Sequence, residues 1–557
     1  MRSFATRREA LSLLLAAAPA VTMLCACTPM VDGANDPANA PTVENGTDTS
    51  KFVSAVEDVP DTNDFQCTTI YYTVAINAFN RLVETETNQD GSLRIEPSLA
   101  ESYEVSPDGK EYTFHLREGV KFTNGQPLTS HDVLYSFKRL LTHPKSCNRD
   151  IANPILGADR LTNGTAKELE GFVIHNDRDF TITLEQPFEA FLACLSMPGA
   201  SILSSKVLEE VGDRFGIDPQ ATVGTGSFIW KSWNPEEGLV LTANPNCWES
   251  PPRANGLNLR FVSDPEECRS MFENGEIDIL DLDEVGNYTE FFIHGDIYQN
   301  RLYKVPRIGT VYIALNENVT PLDDVRVRKA LQLALDRQML LDAIYSGFGS
   351  VENGLYPHGL YGFNPDLPEI PFSPERARKQ LAEAGYSDGF DLQFSVNSAS
   401  NQRELELVNL IVSMWKDVGV RASVILLDEA NFMRLRKSGE LGCYTAMWTA
   451  DYDDPDTFAY TFFGNKENTT FRSLNYGRED IMERVRKARS IIDPKLRLQE
   501  YRDLERIIVQ EDAAWIPLFS RQRLYVLSPR ANGVQATWNG SVKCKYREVS
   551  IADTPNE

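Results

Sequence analysis

An α/β fold is predicted on three observations: short apolar stretches alternating with period two, capped amphipathic helices between them, and no repeat of 20–50 residues. EYTFHLR (Glu111–Arg117) sets Tyr112, Phe114 and Leu116 on one face and Thr113, His115 and Arg117 on the other, which is a half-buried strand. His115 on the polar face is a surface histidine. Asn124-Gly125-Gln126-Pro127 follows as a turn. Thr129 or Ser130 then caps a helix whose apolar side is Val133, Phe137, Leu140 and Leu141. Asp323 or Asp324 opens a second helix through Val327, Leu331, Ala334 and Leu335. Ser373 as cap, with Pro374 at the first helical position, opens a third, which stops at Ala384-Gly385. ASVILL (Ala422–Leu427) is a strand between helices.

Composition narrows the function. At 557 residues the chain exceeds one core and implies about two to four domains. Hydrophobic residues at 42% exclude global disorder. A net charge of −25 argues against nucleic acid, which needs a basic face. No apolar run reaches the ~18–20 residues of a membrane span. GxxxxGK[ST] and HExxH are absent, and no enzyme is expected. Gly224-Thr225-Gly226 reads as a tight turn and not as a nucleotide loop. The six histidines have no ligand spacing, no cysteines form CxxC, and no metal or cofactor is expected.

The N-terminus reads as an export signal. Arg2, Arg7 and Arg8 precede an apolar core from Ala10 to Leu24, and Leu24-Cys25-Ala26-Cys27 resembles a bacterial lipobox with Cys27 as the lipidated residue. Removing residues 1–26, which carry three arginines and one glutamate, leaves a mature charge of −27. Residues 27–50 form a tether, because their only sizeable apolar side chains are Met30, Val31 and Val43. As a coil it spans ~25–29 Å, enough to hold a body just off a membrane on the extracytoplasmic side. An exported chain can form disulfides, and Cys147 with Cys194 is the pair we expect.

Eight segments carry a resemblance to a known family. They are Glu111–Leu141, GTGSFIWKSW (Gly224–Trp233) with LTANPNCW (Leu241–Trp248), NGEIDI (Asn274–Ile279), DDVRVRKALQLALDR (Asp323–Arg337), SPERARKQLAEAGY (Ser373–Tyr386), MWTADYDDPDTF (Met447–Phe458) and AAWIPLF (Ala513–Phe519). In this order they resemble extracellular solute-binding proteins of the peptide/nickel class, family 5, over about residue 51 to the C-terminus. The resemblance implies a two-lobed periplasmic-binding-protein clamp (type II, cluster C). Lobe I would comprise 51–90, 215–305 and 520–557, with a subdomain inserted at 91–214, and lobe II would be 306–519. It implies a monomer that captures a peptide or other small solute and passes it to the permease subunits of an ABC importer. Contact with the membrane would be through the lipid alone.

The resemblance also implies a site. Met447, Trp448 and Thr449 would offer backbone N–H and C=O groups to an extended ligand by strand addition. Asp451 would pair with a peptide α-ammonium, a charge that is costly to bury alone. Cys67, Thr68 and Thr69 would line the cleft from lobe I, and Trp448 could pack on a ligand side chain. Arg436 could answer a carboxylate, or be one solvated arginine beside Arg434 and Lys437. Two departures stand out: Thr445, and Asn397 or Ser398, occupy places where relatives carry a carboxylate-binding arginine. A nickel chelate, a sugar or another solute therefore stays open as ligand, as does an exported hydrolase or sensory subunit on the same fold. Cys247 replaces a usual aromatic without a functional account.

Overall fold

The strand Glu111–Leu116 buries Tyr112, Phe114 and Leu116 as the alternation requires. It lies between Ala100–Val105 and Asp179–Thr183 in a four-stranded antiparallel sheet completed by Phe172–Ile174. The helix Ser130–Thr142 packs Val133, Phe137, Leu140 and Leu141 behind it. At its start the Asp132 carboxylate accepts the Thr129 N–H at 2.9 Å. Asp324 caps the helix Val325–Leu333 by accepting the Arg326 N–H at 2.8 Å. That helix stops short of Ala334 and Leu335 because Asp336 caps the next one, Arg337–Tyr345, through the Met339 N–H. Ser373 precedes the helix Pro374–Glu383 without a side-chain cap bond, and Gly385 ends it at φ +94°. Phe390–Asn397 pairs in parallel with Val420–Leu427, joined by the helix Gln402–Asp417.

We describe these elements from a computed structural model covering residues 51–552 except 57–58, 89–91, 284, 287–288 and 541–543. The export signal, Cys27 and the tether lie outside the described residues.

The elements assemble around one long strand, Trp515–Leu527, in a ten-stranded sheet. Its first half pairs with Gly309–Leu315 and Gly349–Val351, and its second half with Ile279–Asp281 and Leu302–Pro306. Along this strand, and again between Val305 and Ile308, the chain passes from one buried core to another. Arg521 and Arg523 on the shared strand reach Asp283 (2.7 Å) and Asp281 (2.7 Å). One lobe packs Phe52, Phe79, Trp230, Leu257 and Tyr525 together. The other packs Ile313, Leu331, Phe394, Trp415 and Phe519, with a second cluster around Phe462, Tyr501 and Trp515. Buried side chains from Leu82 to Ile202 form a core of their own, into which Tyr452 inserts from the other side. Arg489 crosses the same boundary, lying 4.4 Å from the Phe188 ring and 3.8 Å from that of Tyr460.

Gly224-Thr225-Gly226 is a close-packing device. A Cβ on Gly224 would come to 2.0 Å from the Ala78 carbonyl oxygen, and one on Gly226 to 2.6 Å from the Ala78 carbonyl carbon. Between them Thr225 is buried and donates to Asn80 Oδ1 at 2.9 Å. Gly224→Ala is expected to cost about 3 kcal/mol, because backbone cannot yield as a side chain does. Gly477→Ala, whose Cβ would meet only a Glu317 carboxylate oxygen at 3.7 Å, should stay within about 0.5 kcal/mol. Denaturant unfolding of both variants measures the difference.

The expected Cys147–Cys194 bridge is absent, and both carry free thiols. Cys194 is sealed in the core of residues 82–202 at 3% exposure, while Cys147 stands exposed. Sequence spacing carried no information about that difference in depth.

Candidate functional site

The site begins at an unpaired edge. Cys443–Thr449 is the last strand of the large sheet, antiparallel to Gly309–Leu315 with Thr449 opposite Gly309 and Met447 opposite Val311. The Ala450 N–H donates to the Ile308 carbonyl at 2.8 Å, and the Asn316 N–H to that of Gly442 at 3.0 Å. Antiparallel pairing alternates, so residues 442, 444, 446, 448 and 450 turn their backbone groups inward. Met447 and Thr449 turn theirs to the open edge, and Trp448 does not. The expectation of three consecutive residues is thus corrected to two, by the pleat itself.

Trp448 is held by its side chain. Its Nε1–H donates to the Thr457 carbonyl at 3.1 Å, and its ring meets Phe462 edge-on at 5.4 Å. The Arg472 guanidinium sits 5.3 Å from the ring centre. Trp448 is half-buried, a wall residue on a packed base.

Beyond the strand, four aspartates follow within six residues, and the structure separates them. Asp453 accepts the Tyr361 N–H at 2.7 Å. Asp454 takes both arms of Arg497, at 2.7 and 2.6 Å. Asp456 accepts from the Tyr452 and Tyr501 hydroxyls at 2.9 and 3.0 Å and from Arg489 at 3.2 Å. Asp451 differs. Its N–H donates to Thr457 Oγ1 at 3.2 Å, but its carboxylate has no hydrogen-bond or ion-pair partner among the described residues.

Asp451 is open to water, yet protein closes round it. Both hold for a group that solvent reaches from one side while protein surrounds it on the others. Burial pushes its carboxyl up to about 7; Asp150 adds to the rise and Arg472 opposes it. Asp150 and Tyr72, whose hydroxyl also feels the Asp451 charge, belong to the opposite lobe. Neither was singled out by the sequence, which has no pattern signal for residues that meet only across a cleft. Arg472, at the end of the helix Lys466–Phe471 and on the same side as Asp451, was missed because no local pattern shows that it turns onto Trp448.

The facing wall is built on residues 67–72. Thr68 is buried and structural: its carbonyl accepts Asn148 Nδ2 at 2.9 Å, and the Tyr72 hydroxyl lies 2.9 Å from the same oxygen. Thr69 is exposed. Cys67 turns its thiol to Asp64 Oδ2 and His143 Nδ1, both at 3.2 Å. Arg436, on the helix Glu429–Lys437, is half-buried, with its Nε enclosed and unpartnered and its guanidinium 5.9 Å from the Phe471 ring. Among the described residues neither Arg436 nor Arg472 makes an ion pair, and no cluster of three or more His, Cys, Asp or Glu could hold a metal. Thr445 is spent on Glu404 Oε1 at 3.1 Å.

The model for bacterial extracellular solute-binding proteins, family 5 (middle region), matches residues 94–470. This chain belongs to that family. Among family members, the Heme-binding protein A of Haemophilus influenzae is 29% identical over 479 residues, covering 84% of this chain and 85% of that protein. The Dipeptide-binding protein of Escherichia coli is 26% identical over 499 residues, covering 84% and 89%. The crystal structure of HbpA2 from Haemophilus parasuis superposes with a TM-score of 0.73 at 26% identity, over 90% of this chain and all of that one. An oligopeptide ABC transporter substrate-binding domain from Bacillus anthracis gives the same TM-score at 24% identity, which speaks for the fold. As a family 5 solute-binding protein the chain is a two-lobed α/β receptor.

Proposed function

We propose that this protein captures peptides between its lobes and delivers them to the permease subunits of an ABC importer. It would act on the extracytoplasmic side as a monomer tethered by lipid on Cys27. In this reading lobe I comprises 51–90, 215–305 and 520–557 with 91–214 inserted, and lobe II comprises 306–519.

One observation carries the ligand class: a lone carboxylate, Asp451, two residues beyond a strand edge where Met447 and Thr449 turn backbone groups outward. A peptide offers the complement of both, an α-ammonium and main-chain donors and acceptors. Closure follows if the ligand binds the shut form more tightly. Relatives named for dipeptide and di/tripeptide binding support the same class. Arg436 and Arg472 supply positive charge for a carboxyl end, so Thr445, Asn397 and Ser398 need not.

Calorimetry with a peptide library tests the reading. N-acetylation of a bound peptide is expected to weaken it about 100-fold or more. Equal affinity for the acetylated and free forms would remove the peptide-amine mechanism. A second reading, an acidic non-peptide solute, draws on the two unpaired arginines and on a relative named for heme. Mass spectrometry of ligand copurifying with the protein separates the two.

A further inference from the structure

We propose that Cys67 and Cys147 form a disulfide that staples the cleft wall facing Asp451. The two thiols lie on adjacent segments of different cores. Residues 62–72 run past the lobe I core, and residues 143–151 lead into the core of residues 82–202. The Cys147 N–H donates to the Gln66 carbonyl at 2.9 Å, and the Cys147 thiol lies 3.5 Å from the Cys67 carbonyl oxygen. Through that hydrogen bond and standard bond lengths, the two Cα atoms are within about 7 Å of each other. Disulfides span about 4.4–6.8 Å between Cα atoms, so a small adjustment of an exposed loop suffices. Cys194, the other cysteine of this region, is enclosed in the core and cannot reach.

The surroundings assign the order of events. Cys147 is exposed and meets the oxidant, a small-molecule or protein disulfide of the extracytoplasmic space. Its thiolate attacks one sulfur of that disulfide, forming a mixed disulfide and releasing one thiolate. Cys67 is half-buried, and burial first, then Asp64, pushes its thiol up to about 12. It therefore needs a proton acceptor to become a nucleophile. His143 Nδ1, 3.2 Å from the Cys67 sulfur, is that acceptor, and burial and Arg139 keep the ring neutral by lowering its pKa. Cys67 then attacks the Cys147 sulfur, the carrier leaves as a second thiolate, and His143 returns the proton to solvent. Two protein thiols are oxidised, and one external disulfide is reduced to two thiols.

The bond would fix Thr68 and Tyr72 relative to Asp150, so both sides of the wall move as one. This inference does not depend on which solute binds.

Peptide mapping tests it. The full chain, recovered from the extracytoplasmic side of its own cell, is denatured, alkylated without reductant and digested. The expected result is a Cys67–Cys147 linked peptide and two fewer alkylatable thiols than in a reduced sample. Purified reduced protein equilibrated with glutathione disulfide should lose both thiols together, and Cys147→Ala should leave Cys67 fully alkylatable. In His143→Gln the Cys147–glutathione adduct should resolve about tenfold more slowly, or worse. Complete alkylation of both cysteines in cell-derived and glutathione-treated protein would overturn the proposal, as would a permanent glutathione adduct on Cys147 in the unsubstituted chain.

Discussion

Asp451→Asn is expected to lose peptide affinity by about 30- to 1,000-fold, the cost of burying an ammonium opposite a neutral amide. The substitution keeps shape and removes only charge. The same carboxylate predicts a pH dependence. In the empty cleft it titrates near 7, and only its ionised form attracts an ammonium. Between pH 7.5 and 5.5 the ionised fraction falls about twenty-fold, and affinity should fall with it. Calorimetry at the two pH values, with native and Asp451→Asn protein, reads both effects. A native affinity that stays flat across this range, or an asparagine variant that binds normally, would sink the assignment.

Stability should move the other way. A carboxyl whose folded pKa lies above its unfolded value binds more protons folded than unfolded. It therefore destabilises the empty protein progressively as pH rises from about 4 to 7. Asp451→Asn should melt a few degrees above native protein at pH 8, and the gap should close by pH 4. A gain in stability with a loss of binding is the mark of a charge kept for a ligand.

Arg497→Ala is expected to cost about 3–5 kcal/mol, the usual result of stripping one partner from a buried ion pair. Arg497 and Asp454 are 2% and 5% exposed and joined by two hydrogen bonds. Without the arginine, Asp454 is left as a buried charge close to Asp456. Urea unfolding of the variant gives the loss. Asp454→Leu with Arg497→Met should recover most of it, since an apolar pair of similar volume carries no desolvation debt. If the single variant is as stable as native protein, the pair is incidental and Asp451 loses its fixed platform. Binding should suffer in Arg497→Ala even where it remains folded, because the turn carrying Asp451 is positioned by this pair.

Much of the fold could be read locally. Alternation at Glu111–Leu116 and the apolar face from Val133 to Leu141 follow from which side of an element must leave water. Caps at Asp324 and the stop at Gly385 are set by a few neighbouring residues. The early stop at Leu333 was misread because Ala334 and Leu335 continue the apolar spacing, while the Asp336 cap depends on where the next helix points. At the site, the family resemblance singled out Met447, Trp448, Thr449 and Asp451 through ordered motifs along one chain segment. Trp448 was assigned backbone contacts that the strand register denies it.

By itself the sequence determined the α/β alternation, the acidic charge and the family resemblance, because each rests on residues close together in the chain. Only the tertiary structure decided which of four neighbouring aspartates stays unpaired. It also brought Tyr72 and Asp150 to face Asp451, set Arg472 over Trp448 and laid Cys147 beside Cys67. These meetings join residues tens to hundreds of positions apart, and their energies depend on burial and distance, which exist only once the chain has folded.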